Sequence, residues 1–82
     1  MKVLKFYATW CGPCKGMSMI LKGMENLPEI EVIDIDQNTE LTTQYGIRSV
    51  PTLVKLDESG AEIDRYVGSA TAKGAIAEFL EV

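Results

Sequence analysis

The sequence predicts a small α/β domain: a four-stranded mixed sheet flanked by helices, with elements in the order β-α-β-α-β-β-α. Three observations carry this. A β-rich apolar run at the start of the chain passes directly into a pattern with helical spacing. A second apolar run follows that helix, as a parallel crossover requires. Two later runs are separated only by the tight turn Glu58-Ser59-Gly60.

Residues 2–8 (Lys2 to Ala8) are rich in Val, Leu, Phe and Tyr and read as the first strand. Residues 12–27 read as a helix, because Met17, Ile20, Leu21, Met24 and Leu27 recur on one face. Gly16 and Gly23 weaken it by up to about 1 kcal/mol each relative to Ala, which packing must offset, and Pro28 stops it. Residues 30–35 form the second strand, whose consecutive Val32 and Ile33 predict that both faces are covered. Thr39 to Tyr45 is a short helix ended by Gly46. Thr52 to Asp57 and Ala61 to Val67 pair as a hairpin across the Gly60 turn. After Gly68, residues 70–81 form a last helix that buries Ala72, Ile76, Phe79 and Leu80.

Size and composition narrow the function. A chain of 82 residues is a single domain, residues 1–82, with one modest core. The net charge of −4 offers no basic stripe for phosphates, so no nucleic-acid role is expected. The opening Met1-Lys2-Val3-Leu4-Lys5-Phe6 carries charge too early for a signal peptide. No apolar run approaches the roughly 20 residues of a membrane helix. A cytoplasmic, membrane-free monomer is therefore the expectation. With two Cys and no His, the chain cannot build a Cys₄ or Cys₂His₂ zinc site, nor a Cys–His or Ser–His catalytic pair. No metal is expected.

Chemistry then falls to Cys11-Gly12-Pro13-Cys14, at the junction of the first strand and the first helix. A helix N-terminus presents unpaired N–H groups and a partial positive charge. A thiolate there is stabilised, so the Cys11 thiol is expected below its free pKa of roughly 8.5. Two intervening residues place both sulfurs on one helical turn, where a disulfide can close. Pro13 suits the first turn, since its missing N–H would have had no partner. Gly12 lets a partner backbone come close. Exchange needs an accessible attacking thiolate and a second thiol to resolve the mixed disulfide. Cys11, at the exposed edge, is the nucleophile in this reading, and Cys14, one turn inside, resolves. A purely structural staple, or half of an intermolecular metal site, is the alternative, but so small a ring restrains little chain entropy, and two-residue spacing at a strand-to-helix junction favours redox function.

Trp10-Cys11-Gly12-Pro13-Cys14-Lys15 closely resembles the active-site signature of thioredoxins. The resemblance continues in order through Asp34-Ile35-Asp36-Gln37-Asn38, Tyr45-Gly46-Ile47-Arg48-Ser49-Val50-Pro51-Thr52-Leu53, the hairpin Gly60 and Val67-Gly68, spanning nearly the whole chain. It implies the minimal thioredoxin fold, because the extra strand and helix that usually precede the active-site strand are absent, as in glutaredoxins and the shortest thioredoxins. It implies a cis bond at Val50-Pro51, against an ordinary trans Pro at a strand start. It also implies a docking rim of Trp10, Gly12, Pro13, Val50, Pro51, Val67, Gly68 and Ser69. In that rim the Val50 backbone pairs with an extended substrate segment. Plain core is the competing reading for Trp10 and Val67.

The sequence departs from the family at Lys5, where thioredoxins commonly carry a buried Asp that helps move a proton at the resolving Cys, and at Val32, where a lysine often accompanies it. Lys5 is either half-buried with its charge near the sulfurs or extended along the strand end to solvent. The second reading is preferred, because lysine is rarely fully buried. Tyr7 stands where the family often has Trp. Lys15 either adds positive potential at the site or is a solvated helix residue, the preferred reading. Asp34 and Asp36 point the same way along a strand; they form either an acid/base pair or a solvated strand end, and nothing else marks a pocket there.

Three functions follow. A general protein-disulfide reductase would, by resemblance, bind no cofactor itself. It would take electrons from an NADPH-dependent flavoenzyme, thioredoxin reductase, and pass them to proteins such as ribonucleotide reductase. A glutaredoxin-like enzyme using glutathione fits the short length, but the Gly-Pro dipeptide and the single glycine after Val67 argue against it. A non-enzymatic binding subunit would use the docking rim alone.

Overall fold

The computed structural model describes residues 2–24, 27–68 and 73–80. It contains β1 (Lys2–Tyr7), α1 (Gly12–Lys22), β2 (Glu29–Asp34), α2 (Thr39–Gln44), β3 (Thr52–Leu56), β4 (Glu62–Val67) and α3 (Lys73–Leu80). The sheet order is β2-β1-β3-β4. β1 runs parallel to β2, from Lys2 opposite Glu29 to Tyr7 opposite Asp34. β3 is antiparallel to β1, and β4 to β3, so the sheet is mixed as expected.

The central position of β1 and β3 explains their sequences. Val3, Leu4, Lys5 and Phe6 are all buried, as is every residue of β3. Alternation divides the apolar residues between two layers. On one face Val3 and Leu53 pack with Met17 and Leu21 of α1 and Ile76 and Leu80 of α3. On the other, Leu4, Phe6, Ile33, Val54 and Leu56 form a second cluster, against which Leu41 and Tyr45 pack from α2 and its end. The Phe6 and Tyr45 rings meet at 5.8 Å in a tilted arrangement. The hairpin turn is held by the Asp57 carboxylate, which accepts the Ser59 and Ala61 N–H groups at 2.8 and 3.0 Å. Gly60 sits there at φ +89°, where a β-carbon would be strained.

Two expectations are corrected. The first helix ends at Lys22, well before Pro28. Gly23 ends it, its N–H donating back to the Met19 and Ile20 carbonyls. Met24 and Leu27 still pack on the core from beyond the helix. The second correction concerns β2. It is an edge strand, and Val32 is 57% exposed while its neighbour Ile33 is 2% exposed. Two consecutive apolar residues therefore do not mean two covered faces here.

The remaining boundaries move by a residue. β1 ends at Tyr7, β2 spans 29–34, α2 ends at Gln44, β3 ends at Leu56 and β4 starts at Glu62. Asn38 caps α2 by accepting the Leu41 N–H at 3.2 Å. Of the last helix, Ile76 and Leu80 are buried as expected, and the parts placed at 70–72 and 81, Ala72 included, lie outside the described residues.

Candidate active site

The central strand β1 delivers the chain to the end of the sheet where the cysteines lie. There the Cys11 N–H donates to the Ala8 carbonyl at 3.2 Å, turning the backbone toward α1. Cys11 is the N-cap of α1: its φ of −90° and ψ of 110° are extended rather than helical, and its Sγ accepts the Cys14 N–H at 3.1 Å. The sulfur thus does what a capping hydroxyl or carboxylate oxygen does elsewhere, satisfying a first-turn N–H. Gly12 and Pro13 are the first two helical residues, and the proline leaves one fewer donor to satisfy. The first turn carries no acidic residue, so nothing competes with a sulfur anion for its positive end. Cys11 and Cys14 form a disulfide with Cα atoms 5.3 Å apart.

The expected exposure of Cys11 is corrected: it is 4% exposed, against 2% for Cys14. Capping is the reason, because it turns the sulfur back over the helix instead of outward. Both cysteines pack with Ala8, and with Tyr7, Ile35 and Val50 around them. The surrounding rim is open. Trp10 is 69% exposed, Val67 56%, and Gly12 and Pro13 are exposed. The core reading of Trp10 and Val67 is thereby excluded.

The Val50–Pro51 peptide bond is cis. The Val50 carbonyl oxygen lies 3.7 Å from Cys11 Sγ, so this loop does border the sulfurs. Thr52 Oγ1 braces it by donating to the Ser49 carbonyl at 2.8 Å. Pro51 is buried, and its carbonyl accepts the Gly68 N–H at 3.4 Å, joining the two loops of the rim. Ser69 lies outside the described residues.

The acidic residues have local tasks. Asp36 accepts the Trp10 indole N–H at 3.0 Å, and Asp34 accepts the Asp36 N–H at 2.9 Å. They orient the tryptophan and the turn after β2 rather than forming an acid/base pair. A groove beside the disulfide runs between Trp10 and Ile35 on one side and Ile47, Arg48, Ser49 and Val50 on the other. Sequence reasoning assigned nothing to Asp36 as a partner of Trp10, since the two are 26 positions apart.

Lys5 is also corrected. It does not extend to solvent but is 5% exposed, its Nζ donating to Ser18 Oγ. The covering helix is the reason: Lys5 shares the sheet face of Val3 and Leu53, on which α1 packs with Met17 and Leu21, and Ser18 of that helix meets its amine. Burial pushes the Lys5 amine below its ordinary pKa. Lys15 is exposed on α1 beside Cys14.

Comparison with known proteins agrees with this arrangement. The thioredoxin family model matches residues 1–82. Thioredoxin of Chlamydia trachomatis serovar D is 38% identical over 69 residues, covering 80% of this chain and 67% of that protein. Thioredoxin-1 of Drosophila melanogaster is 44% identical over 61 residues, covering 70% and 57%. The chain thus spans about two thirds or less of the length of these two relatives. Among solved structures, Fasciola hepatica thioredoxin superposes with a TM-score of 0.84 at 30% identity, covering 96% of this chain and 76% of that one. Thioredoxin 1 of Thermosipho africanus gives 0.71 at 30% identity, covering 98% and 94%.

Proposed function

As this chain belongs to the thioredoxin family and is a thiol–disulfide oxidoreductase, we propose that it works in the reducing direction on protein disulfides, with Cys11 as nucleophile and Cys14 as resolving thiol. The observation that carries the assignment is the capping bond from the Cys14 N–H to Cys11 Sγ. Cys11 stands at the N-cap of α1 and its sulfur accepts a first-turn N–H, whereas Cys14 lies inside that turn.

The cycle follows from this asymmetry. In the reduced protein the Cys11 thiolate attacks one sulfur of a substrate disulfide. The substrate S–S bond breaks, a mixed disulfide forms on Cys11, and one substrate thiolate leaves. Cys14 loses its proton and attacks the Cys11 sulfur. The Cys11–Cys14 bond forms, the second substrate thiolate leaves, and two electrons have passed to the substrate. The thiolates leaving take up protons. An extended substrate segment would pair with the Val50 backbone, while Trp10, Gly12, Pro13, Pro51, Val67 and Gly68 frame it with small apolar surfaces. Low exposure of the disulfide restricts attack to partners that fit this rim.

The family suggests a reductase and disulfide-bearing proteins as partners. The proposed electron source is the NADPH-dependent flavoenzyme thioredoxin reductase, the substrates include ribonucleotide reductase, and the proposed setting is the reducing cytoplasm. The test supplies insulin as substrate and compares NADPH with thioredoxin reductase against NADPH with glutathione and glutathione reductase. Turnover with the first pair is the expected result. Turnover only with glutathione would make the protein glutaredoxin-like. Failure of both, and of dithiothreitol, to drive insulin reduction would contradict the reductase reading.

A further inference from the structure

We propose that Arg65 is a positioning residue for substrate docking: its guanidinium, braced by Glu62, fixes the root of the loop that presents the Val50 backbone to a protein substrate. This rests on the pairing of an extended substrate segment with Val50 given above. Arg65 stands on β4 opposite Val54 of β3, on the sheet face that carries Leu4, Phe6 and Leu56. Its Nη2 donates to the Tyr45 carbonyl at 2.8 Å, a residue 20 positions earlier in the chain. Its Nε and Nη2 also donate to the two carboxylate oxygens of Glu62, each at 2.8 Å.

The bond to Tyr45 falls where α2 needs one. Tyr45 is the C-cap of α2, and the carbonyls at a helix end have no partner within the helix. The last turn has no basic residue of its own, and no residue of α2 is fully buried. A cation reaching in from β4 therefore satisfies a carbonyl and complements the negative end of the helix. Beyond Tyr45, Gly46 at φ +62° turns the chain out of α2. Ile47 to Val50 then form one wall of the groove that Trp10 and Ile35 line on the other side. The far end of this segment is held from the same strand. Gly68, the residue after β4, donates to the Pro51 carbonyl at 3.4 Å. β4 thus grips the loop at both ends, and between them the Val50 carbonyl lies 3.7 Å from Cys11 Sγ.

The chemistry of the pair favours positioning over stability. The Arg65 and Glu62 side chains are 30% and 32% exposed, and ion pairs open to water add little to folding. What the fork supplies is direction. Two parallel bonds to one carboxylate fix the guanidinium plane, and so aim the second Nη2 hydrogen at Tyr45. A lysine at this place would be a point charge with no plane to fix.

Reduced protein mixed with excess insulin tests this, with acid quenching and thiol alkylation to count the remaining dithiol. The same assay with hydroxyethyl disulfide, which has no peptide backbone to pair with Val50, is the reference. In Arg65→Gln the insulin concentration that gives half the limiting rate is expected to rise by about five-fold, inside the roughly two- to thirty-fold span of remote positioning changes. The limiting rate, and the rate with hydroxyethyl disulfide, keep their wild-type values. Arg65→Lys shows the same loss, since charge alone does not aim the bond, and Glu62→Gln shows a smaller one of about two-fold. Circular dichroism checks that each variant is folded, and Glu62→Gln decides the question if the Arg65 variants are not. Wild-type half-saturation in a folded Arg65→Gln or Arg65→Lys overturns the proposal. Equal slowing with both substrates also overturns it, because a general disturbance of the fold would act on each alike. A wild-type protein that is oxidised by hydroxyethyl disulfide but not by insulin would overturn the protein-disulfide reductase reading, and this proposal with it.

Discussion

Cys14→Ser is expected to accumulate covalent adducts on Cys11 and to lower disulfide turnover to the rate of the uncatalysed exchange. The substitution separates the two halves of the cycle. The Cys14 N–H that supports Cys11 Sγ at 3.1 Å belongs to the backbone and survives the change. Cys11 therefore still attacks and still forms a mixed disulfide. A serine oxygen cannot displace the substrate, so the adduct persists. Cys11→Ser removes the attacking sulfur and is expected to give no adducts and no turnover. Electrophoresis without reductant, before and after dithiothreitol, reads both results. Adducts that form on Cys14 in the Cys11→Ser protein, and none on Cys11 in the Cys14→Ser protein, would reverse the assignment.

Phe6→Ala is expected to cost about 3–5 kcal/mol, the usual range for deleting a buried aromatic side chain. Phe6 is fully buried at the centre of the cluster formed with Leu4, Ile33, Val54 and Leu56. Its ring also meets Tyr45 beyond α2. Domains in general hold only about 5–15 kcal/mol in reserve, and a small one has a small core to compensate with. Loss of Phe6 therefore takes much of the stability of an 82-residue chain. Its effect should reach the site, because Val50 packs against the same cluster. Urea unfolding measures the loss. Met19→Ala, at an exposed position on α1, serves as the control and should stay within about 0.5 kcal/mol of the parent protein. A Phe6→Ala change of similar size would contradict the placement of the core.

Much of this was legible in the sequence because the signals are local. The run of strand-forming residues in β1, the helical spacing of Met17 and Leu21 and the turn at Gly60 each act over a few residues, and element order follows from them. The position of Cys11 at a strand-to-helix junction is equally local, and it marks where the disulfide forms. What sequence missed depends on which elements become neighbours. Taken alone, Val32 reads as covered, because nothing in its own segment says that β2 lies at the sheet edge. Taken alone, Lys5 reads as reaching solvent, because nothing in its own segment says that α1 folds back over that face of β1. The helix end was a choice between two stop signals, and Gly23 acted before Pro28 could. The low exposure of Cys11 reflects the rotation of one side chain into a capping position. The Trp10–Asp36 bond likewise joins residues that only the folded sheet brings together.

How α1 treats the sulfur at its head is best examined by titrating the Cys11 thiol in reduced Cys14→Ser protein, following thiolate absorbance against pH. A midpoint well below the roughly 8.5 of a free cysteine is the result that first-turn N–H groups and an acid-free helix start should produce. A midpoint at or above that value would mean that burial outweighs the helix, and that the sulfur is not held ready to attack.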